Sequence, residues 1–164
     1  MPIRYSSSTV RLVAGSALGN VALEANVDRS VDGIWFNPAL SGQGWSFHAL
    51  PSQNRLIGAW YTYSADGSGR HLWYTLDSCR SAPGATNCLL PGAFDNREVT
   101  LSVYESQGGA FNQPAPVVTR DVGTLTIRFL SCTRAELRFQ IGSFTSATIP
   151  VTRLVPKPGC TLGN

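Results

Sequence analysis

The sequence predicts an all-β domain: an antiparallel meander of about eight strands closing into a barrel, with a two-sheet sandwich as the alternative. Three observations carry this. From residue 32 onward, apolar and polar residues alternate with a period of two in short runs. The runs are separated by turn formers, with 16 Gly and 10 Pro in 164 residues. No stretch shows helical periodicity of any length. Sequential strands usually pair with their neighbours, and a meander loses its open edges by closing on itself. Eight strands leave room for interior side chains or one small ligand.

The elements follow in order. Residues 33–37 form a short aromatic strand that Pro38 breaks, and Gly42 and Gly44 frame a tight turn. Residues 44–50 alternate, with Trp45, Phe47 and Ala49 on one face and Ser46 and His48 on the other. A turn over 51–54 leads into a strand at 55–63. Asp66-Gly67-Ser68-Gly69 signals a hairpin turn, and 70–76 is the return strand. Residues 78–96 read as a long loop. Residues 98–105 turn Val99, Leu101 and Val103 inward, and 106–119, with Gly108, Gly109, Pro114 and Pro116, read as a second loop. Residues 122–130 bury Leu125, Ile127 and Phe129; 134–141 bury Leu137, Phe139 and Ile141; 146–154 bury Ile149 and Val151. Residues 32–164 thus form a single β domain, preceded by an extension over 1–31.

Composition excludes several classes. Charged residues are 14% of the chain, against about 25% in an average domain. The 43% apolar fraction is that of a folded chain. The net charge is +3, and the 13 basic residues, all Arg but Lys157, are scattered from Arg4 to Lys157 without a cluster. A nucleic-acid site needs several cations on one face, so no nucleic-acid partner is expected. No segment holds the roughly 18 apolar residues of a membrane span. The N-terminus reads in two ways. Arg4 and Arg11 before a small, apolar stretch suit a weak signal peptide cleaved near Ala25. Alternation of Val21, Leu23, Ala25 and Val27 suits an added strand.

Four cysteines stand at 79, 88, 132 and 160, with no C-x-x-C pair. Two disulfides are the simplest arrangement, and of the three possible pairings Cys79–Cys88 with Cys132–Cys160 is the favoured one. They imply an oxidising compartment, extracellular or periplasmic. The alternative is four buried thiols in a cytosolic protein.

Gly33-Ile34-Trp35-Phe36-Asn37-Pro38, Ser41-Gly42-Gln43-Gly44-Trp45, Trp60-Tyr61-Thr62-Tyr63, Asp66-Gly67 and Trp73 make a distinctive set, completed by Gly123-Thr124-Leu125-Thr126 and Thr152-Arg153-Leu154 before Cys160. Over residues 33 to about 160 the chain resembles a group of secreted bacterial β modules with a W-x-N-P-x-x-S-G-x-G opening, to which no chemistry is assigned. It departs from them at Ser64, where Asp is more usual, and in the longer cysteine-bearing loop 79–88. The resemblance implies secretion and a compact β domain. More loosely, Gly33-Ile34-Trp35 and the late Arg153 resemble calycin-type barrels, in which an Arg of the last strand packs on the Trp of the first. A guanidinium over an indole is a favourable contact.

No catalytic constellation is present. Ser41-Gly42-Gln43-Gly44 lacks the strand-to-helix elbow of a nucleophile. The carboxylates fall mostly in turns rather than as a facing pair. His48 and His71 lie on non-adjacent strands, so no metal site is expected, nor any cofactor. The aromatic distribution is more informative. All four Trp lie between residues 35 and 73, and the strands at 55–76 are apolar on both faces, more than a one-sided wall needs. Trp45, Trp60, Tyr61, Tyr63, His71 and Trp73 are therefore the candidate binding residues, with Trp35 and Arg153 as structural residues. The first functional reading is a secreted, non-enzymatic binding module whose partner is a glycan, a cell-envelope polymer or an extracellular protein. A second is a self-assembling subunit of an extracellular filament or coat, its N-terminal stretch pairing with a neighbour's sheet. A third, by the calycin resemblance alone, is a barrel-type protease inhibitor.

Overall fold

The computed structural model describes residues 29–79, 97–160 and 162. It contains nine antiparallel strands in one sheet: β1 (Gly33–Phe36), β2 (Gly44–Leu50), β3 (Arg55–Tyr63), β4 (His71–Asp77), β5 (Glu98–Ala110), β6 (Gln113–Phe129), β7 (Arg134–Ile141), β8 (Phe144–Thr145) and β9 (Ile149–Arg153). From β1 to β7 each strand pairs with the next, β7 pairs with β9, and β9 returns to β1, so eight strands close a ring. The two-residue β8 hangs on β7 alone.

Alternation decides what enters the ring, because side chains two apart share a face. The row Val99–Ile127–Leu137 and the neighbouring Leu101 and Leu125 are fully buried. Trp35, Trp45 and Trp60 stand in register across β1, β2 and β3, and Tyr74 continues the row on β4. Their rings touch: Trp45 lies 5.8 Å from Trp60, and Trp60 lies 5.2 Å from Tyr74 and 4.5 Å from Phe139 on the far wall. This aromatic belt spans the interior. Phe139, Ile141 and Ile149 face inward as expected but are only half-buried, because they lie away from the centre of the packing.

One end of the ring is plugged by a 3-10 turn, Arg29–Val31, whose Val31 is buried among the core residues. Trp35 Nε1 donates to Val31 O at 3.2 Å. Arg153 pairs with Trp35 across the β1–β9 ladder and lies 4.6 Å over its ring. Its guanidinium donates to Asp32 O at 3.1 Å and to Ser30 O. Asp32 Oδ1 accepts from Ala49 N at 2.6 Å, and Lys157 Nζ donates to Arg29 O. The expected Trp35–Arg153 contact is thus present, and it fastens the plug as well as the ring. Residues 1–28, where the signal and added-strand readings fall, lie outside the described residues.

Cys132 and Cys160 are joined by a disulfide. Cys79 is buried at the end of β4, and the expected Cys79–Cys88 bridge falls on residue 88, outside the described residues. Among the described residues, no helix is long and apolar enough to cross a membrane.

One expectation is overturned. Residues 106–119 are not a loop: β5 and β6 continue through them as a paired ribbon, from Ser106 opposite Thr119 to Ala110 opposite Gln113. Both faces of this ribbon are exposed, so neither selects for apolar residues and the period-two signal vanishes. Gly108, at φ 91°, and Gly109, at φ 78°, accommodate a register shift inside the ribbon instead of ending it.

The β3–β4 turn behaves as its residues imply. Asp66 Oδ1 accepts from Ser68 N at 2.9 Å. Hydrogen bonds from the Ser68 side chain and backbone, then from Ser64, hold its carboxyl at about 2, below the ordinary 3.8. A carboxyl whose folded pKa is depressed adds stability above its unfolded pKa, and that stability is lost as pH falls through the folded value. The Asp66 contribution is therefore complete above about pH 4 and gone below about pH 2. Carboxyl NMR titration should place Asp66 near 2, and Ser68→Ala should move it back toward 3.8. A midpoint near 3.8 in the unaltered protein would contradict this turn geometry.

Candidate functional site

Two concave regions occupy the ring end opposite the plug. The plug contacts the C-terminal end of β2 through Ala49. Gln43, which precedes β2, lines the other end, together with Tyr63 and Ala65 at the close of β3 and Ile141 at the close of β7.

The first region is a groove of about 310 Å³ on the outer face of β3 and β4, lined by Gly42, Tyr61, Thr62, His71, Leu72 and Trp73. Tyr61 and Trp73 are direct cross-strand partners, 51% and 59% exposed. One row further, Tyr63 pairs with His71, their rings 5.1 Å apart. On the β2 side the partner of Tyr61 is Gly44, which has no side chain to shield it. Gly42 stands at φ 75°, and a Cβ there would collide with the Tyr63 hydroxyl, so this turn closes tightly against the ring. The result is an aromatic patch bordered by the small residues Ser46, Ala59 and Thr75. Other outer surface differs: on β5, β6 and β7, Glu98, Arg128 and Glu136 alternate in charge across one row, and Thr100 meets Thr126 at 2.9 Å.

The second region is the mouth of the ring, a cavity of about 200 Å³. Trp60, Tyr74, Phe139, Ile141 and Phe144 supply its apolar wall, and Gln43, Thr62, Tyr63 and Ala65 complete the lining. Thr62 Oγ1 donates to Gln43 Oε1 at 2.6 Å. Burial first, then the Glu105 carboxylate, push the Tyr74 hydroxyl above its ordinary value, so it stays a neutral phenol at physiological pH. Trp60 is 4% exposed, and its Nε1 finds no acceptor among the described residues.

The candidate binding residues therefore divide. Tyr61, His71 and Trp73 come together on the outer groove, and Tyr63 stands between groove and mouth. Trp45 and Trp60 are buried in the aromatic belt, Trp60 reaching the mouth from within. Tyr74, Phe139 and Phe144 complete the mouth without having been singled out. Phe139 reads as an inward core residue, Tyr74 lies in a strand whose two faces are both apolar, and a two-residue strand around Phe144 is too short to leave a periodic signal.

Two carboxylates elsewhere, Asp77 and Asp32, are engaged in holding the fold. Asp77 pairs with Arg55, and its Oδ1 also accepts from Cys79 N at 2.8 Å. Asp32 lies 3.7 Å from His48 and 3.6 Å from Lys157 beside the plug. His48 and His71 sit on β2 and β4, with β3 between them. Among the described residues, no three His, Cys, Asp or Glu gather into a metal-holding group. No family model, curated protein or solved structure matches the chain.

Proposed function

We propose that the protein is a secreted, non-enzymatic binding module that takes a glycan chain, such as a cell-envelope polymer, against its outer aromatic groove. The observation that carries this reading is the Tyr61–Trp73 pair. Two large rings, directly opposed and more than half exposed, line an open groove beside a histidine and small polar residues. Left in water such rings contribute no burial, whereas stacking on a sugar face desolvates them at little conformational cost. Among the described residues, the groove is lined by no carboxylate or lysine, which favours a neutral, extended ligand over a charged one. The Cys132–Cys160 disulfide supports an extracellular or periplasmic address. The protease-inhibitor reading rests on the calycin resemblance, and the Trp35–Arg153 pair speaks for the fold rather than for that activity.

The test is retention of the disulfide-intact protein on purified peptidoglycan sacculi and on a panel of neutral polysaccharides. Trp73→Ala is expected to weaken binding to the retained polymer by about 30-fold, the scale of an interfacial hot spot. Its thermal midpoint should stay within a few degrees of wild type, since an exposed side chain contributes little to the core. Retention unaffected by Trp73→Ala would remove the groove as the site. Failure of the wild-type chain to bind any of the polymers would remove the glycan reading.

A further inference from the structure

The β5–β6 ribbon over residues 106–119 is the least accounted-for part of the molecule. It leaves the ring at the mouth end: β5 pairs with β4 only as far as Tyr104 opposite Thr75, and β6 meets β7 only from Gly123. Beyond that point six residues of β5 (105–110) and ten of β6 (113–122) project, a reach of about 20 Å along β5 at strand rise. The projection is an ordered ribbon, tied by Ser106 to Thr119 at 2.8 Å and turned at Asn112 with φ 54°. At its tip Phe111 is 99% exposed, and Val117 and Val118 are more than half exposed behind it.

Two features make this arm unusual. It carries no charged residue from Ser106 to Thr119, and its edges are blunted instead by Pro114, Pro116 and the bulge at Gly108–Ala110. It also stands beside a neutral aromatic cavity of about 200 Å³ that the described residues leave open. Apolar cavities of roughly 150 Å³ hold one benzene ring, so the mouth takes a phenyl group. Its own Phe111 does not fill it.

We propose that the arm and the mouth form a reciprocal clasp between two copies of this chain, Phe111 of each seated in the aromatic mouth of the other. Knob and cavity lie at the same end of the ring, so a two-fold axis over the mouths satisfies both at once and closes the assembly at two. Features at opposite ends would instead have produced an open chain of subunits. The uncharged arm meets an uncharged lining, and Phe111 packs with Trp60, Phe139 and Phe144.

Sedimentation velocity and native mass spectrometry of the full chain, disulfides intact, from about 1 µM to about 1 mM test this. The expected result is a monomer–dimer equilibrium that stops at two. Phe111→Ser should raise the dissociation constant about 30-fold or more while leaving the monomer's thermal midpoint unchanged, since Phe111 touches none of the core. Phe144→Ser, at the exposed rim, should weaken the dimer as well. Mixing Phe111→Cys and Phe144→Cys variants should give a disulfide between chains. A monomer throughout, a dimer indifferent to Phe111→Ser, growth beyond two, or a 111–144 crosslink formed within one chain of the double cysteine variant would each overturn the clasp.

Discussion

Trp35→Ala is expected to lower the unfolding free energy by about 3–5 kcal/mol, the range for truncating a large buried aromatic. Trp35 is fully buried, packs 5.4 Å from Phe129 and donates to Val31 O. Removing it opens a cavity where β1 meets β9 and deprives the plug of one of its anchors. Arg153→Ala acts on the same junction from the other side. It leaves the Ser30 and Asp32 carbonyls without their guanidinium donor, and hydrogen bonds to a charged group contribute about 1.5–3 kcal/mol each. Arg153→Met keeps much of the aliphatic stem and loses the charge, so it separates packing from hydrogen bonding. If ring and guanidinium act as a unit, the double variant should fall short of the sum of the two single losses by about 1–2 kcal/mol. Guanidinium unfolding of the oxidised protein measures all of these. A Trp35→Ala loss below about 1 kcal/mol would mean that the junction does not hold the ring closed.

That junction was expected through the resemblance to calycin-type barrels, carried by Gly33-Ile34-Trp35 early and Arg153 late. The walls were legible for a different reason. Where one face is buried and the other solvated, as for Leu125, Ile127 and Phe129 against Thr124, Thr126 and Arg128, alternation writes the answer into the chain. The reading failed where that contrast disappears. The arm at 106–119 has solvent on both faces, so its Gly and Pro content looked like a loop. In β3 and β4 both faces carry large residues, and parity separates Trp60 from Tyr61 without saying which one is exposed. Register resolves it: Trp60 lies opposite Trp45 and Tyr74 inside, and Tyr61 lies opposite Gly44 and Trp73 outside. The mouth cavity was not legible at all. It exists because ring closure brings Phe139 of β7 to 4.5 Å from Trp60 of β3, a contact between strands remote in sequence that no window of residues contains.

The second large effect is expected at the Cys132–Cys160 bridge. It spans 28 residues of sequence, and closing a loop of that length restricts the unfolded chain by about 3–4 kcal/mol in the chain-entropy account. Cys132→Ser with Cys160→Ser removes this bridge alone. The loss should not be uniform. Cys160 follows β9, and the bridge ties the tail to the turn between β6 and β7, where Thr133 O accepts from Arg153 N at 2.9 Å and from the Thr152 hydroxyl at 3.1 Å. The same tail carries Lys157 to Arg29 O, and so to the plug. Freeing it therefore loosens the plug before the walls. Amide exchange should speed up at Val31 and along β9, while the centre of β6 and β7, around Leu125 and Leu137, keeps its protection up to the global unfolding limit. Equal acceleration at Val31 and Leu125 would mean that the tail acts on the whole ring at once. A double variant within about 1 kcal/mol of wild type would mean that β9 and Arg153 hold the closure without the bridge.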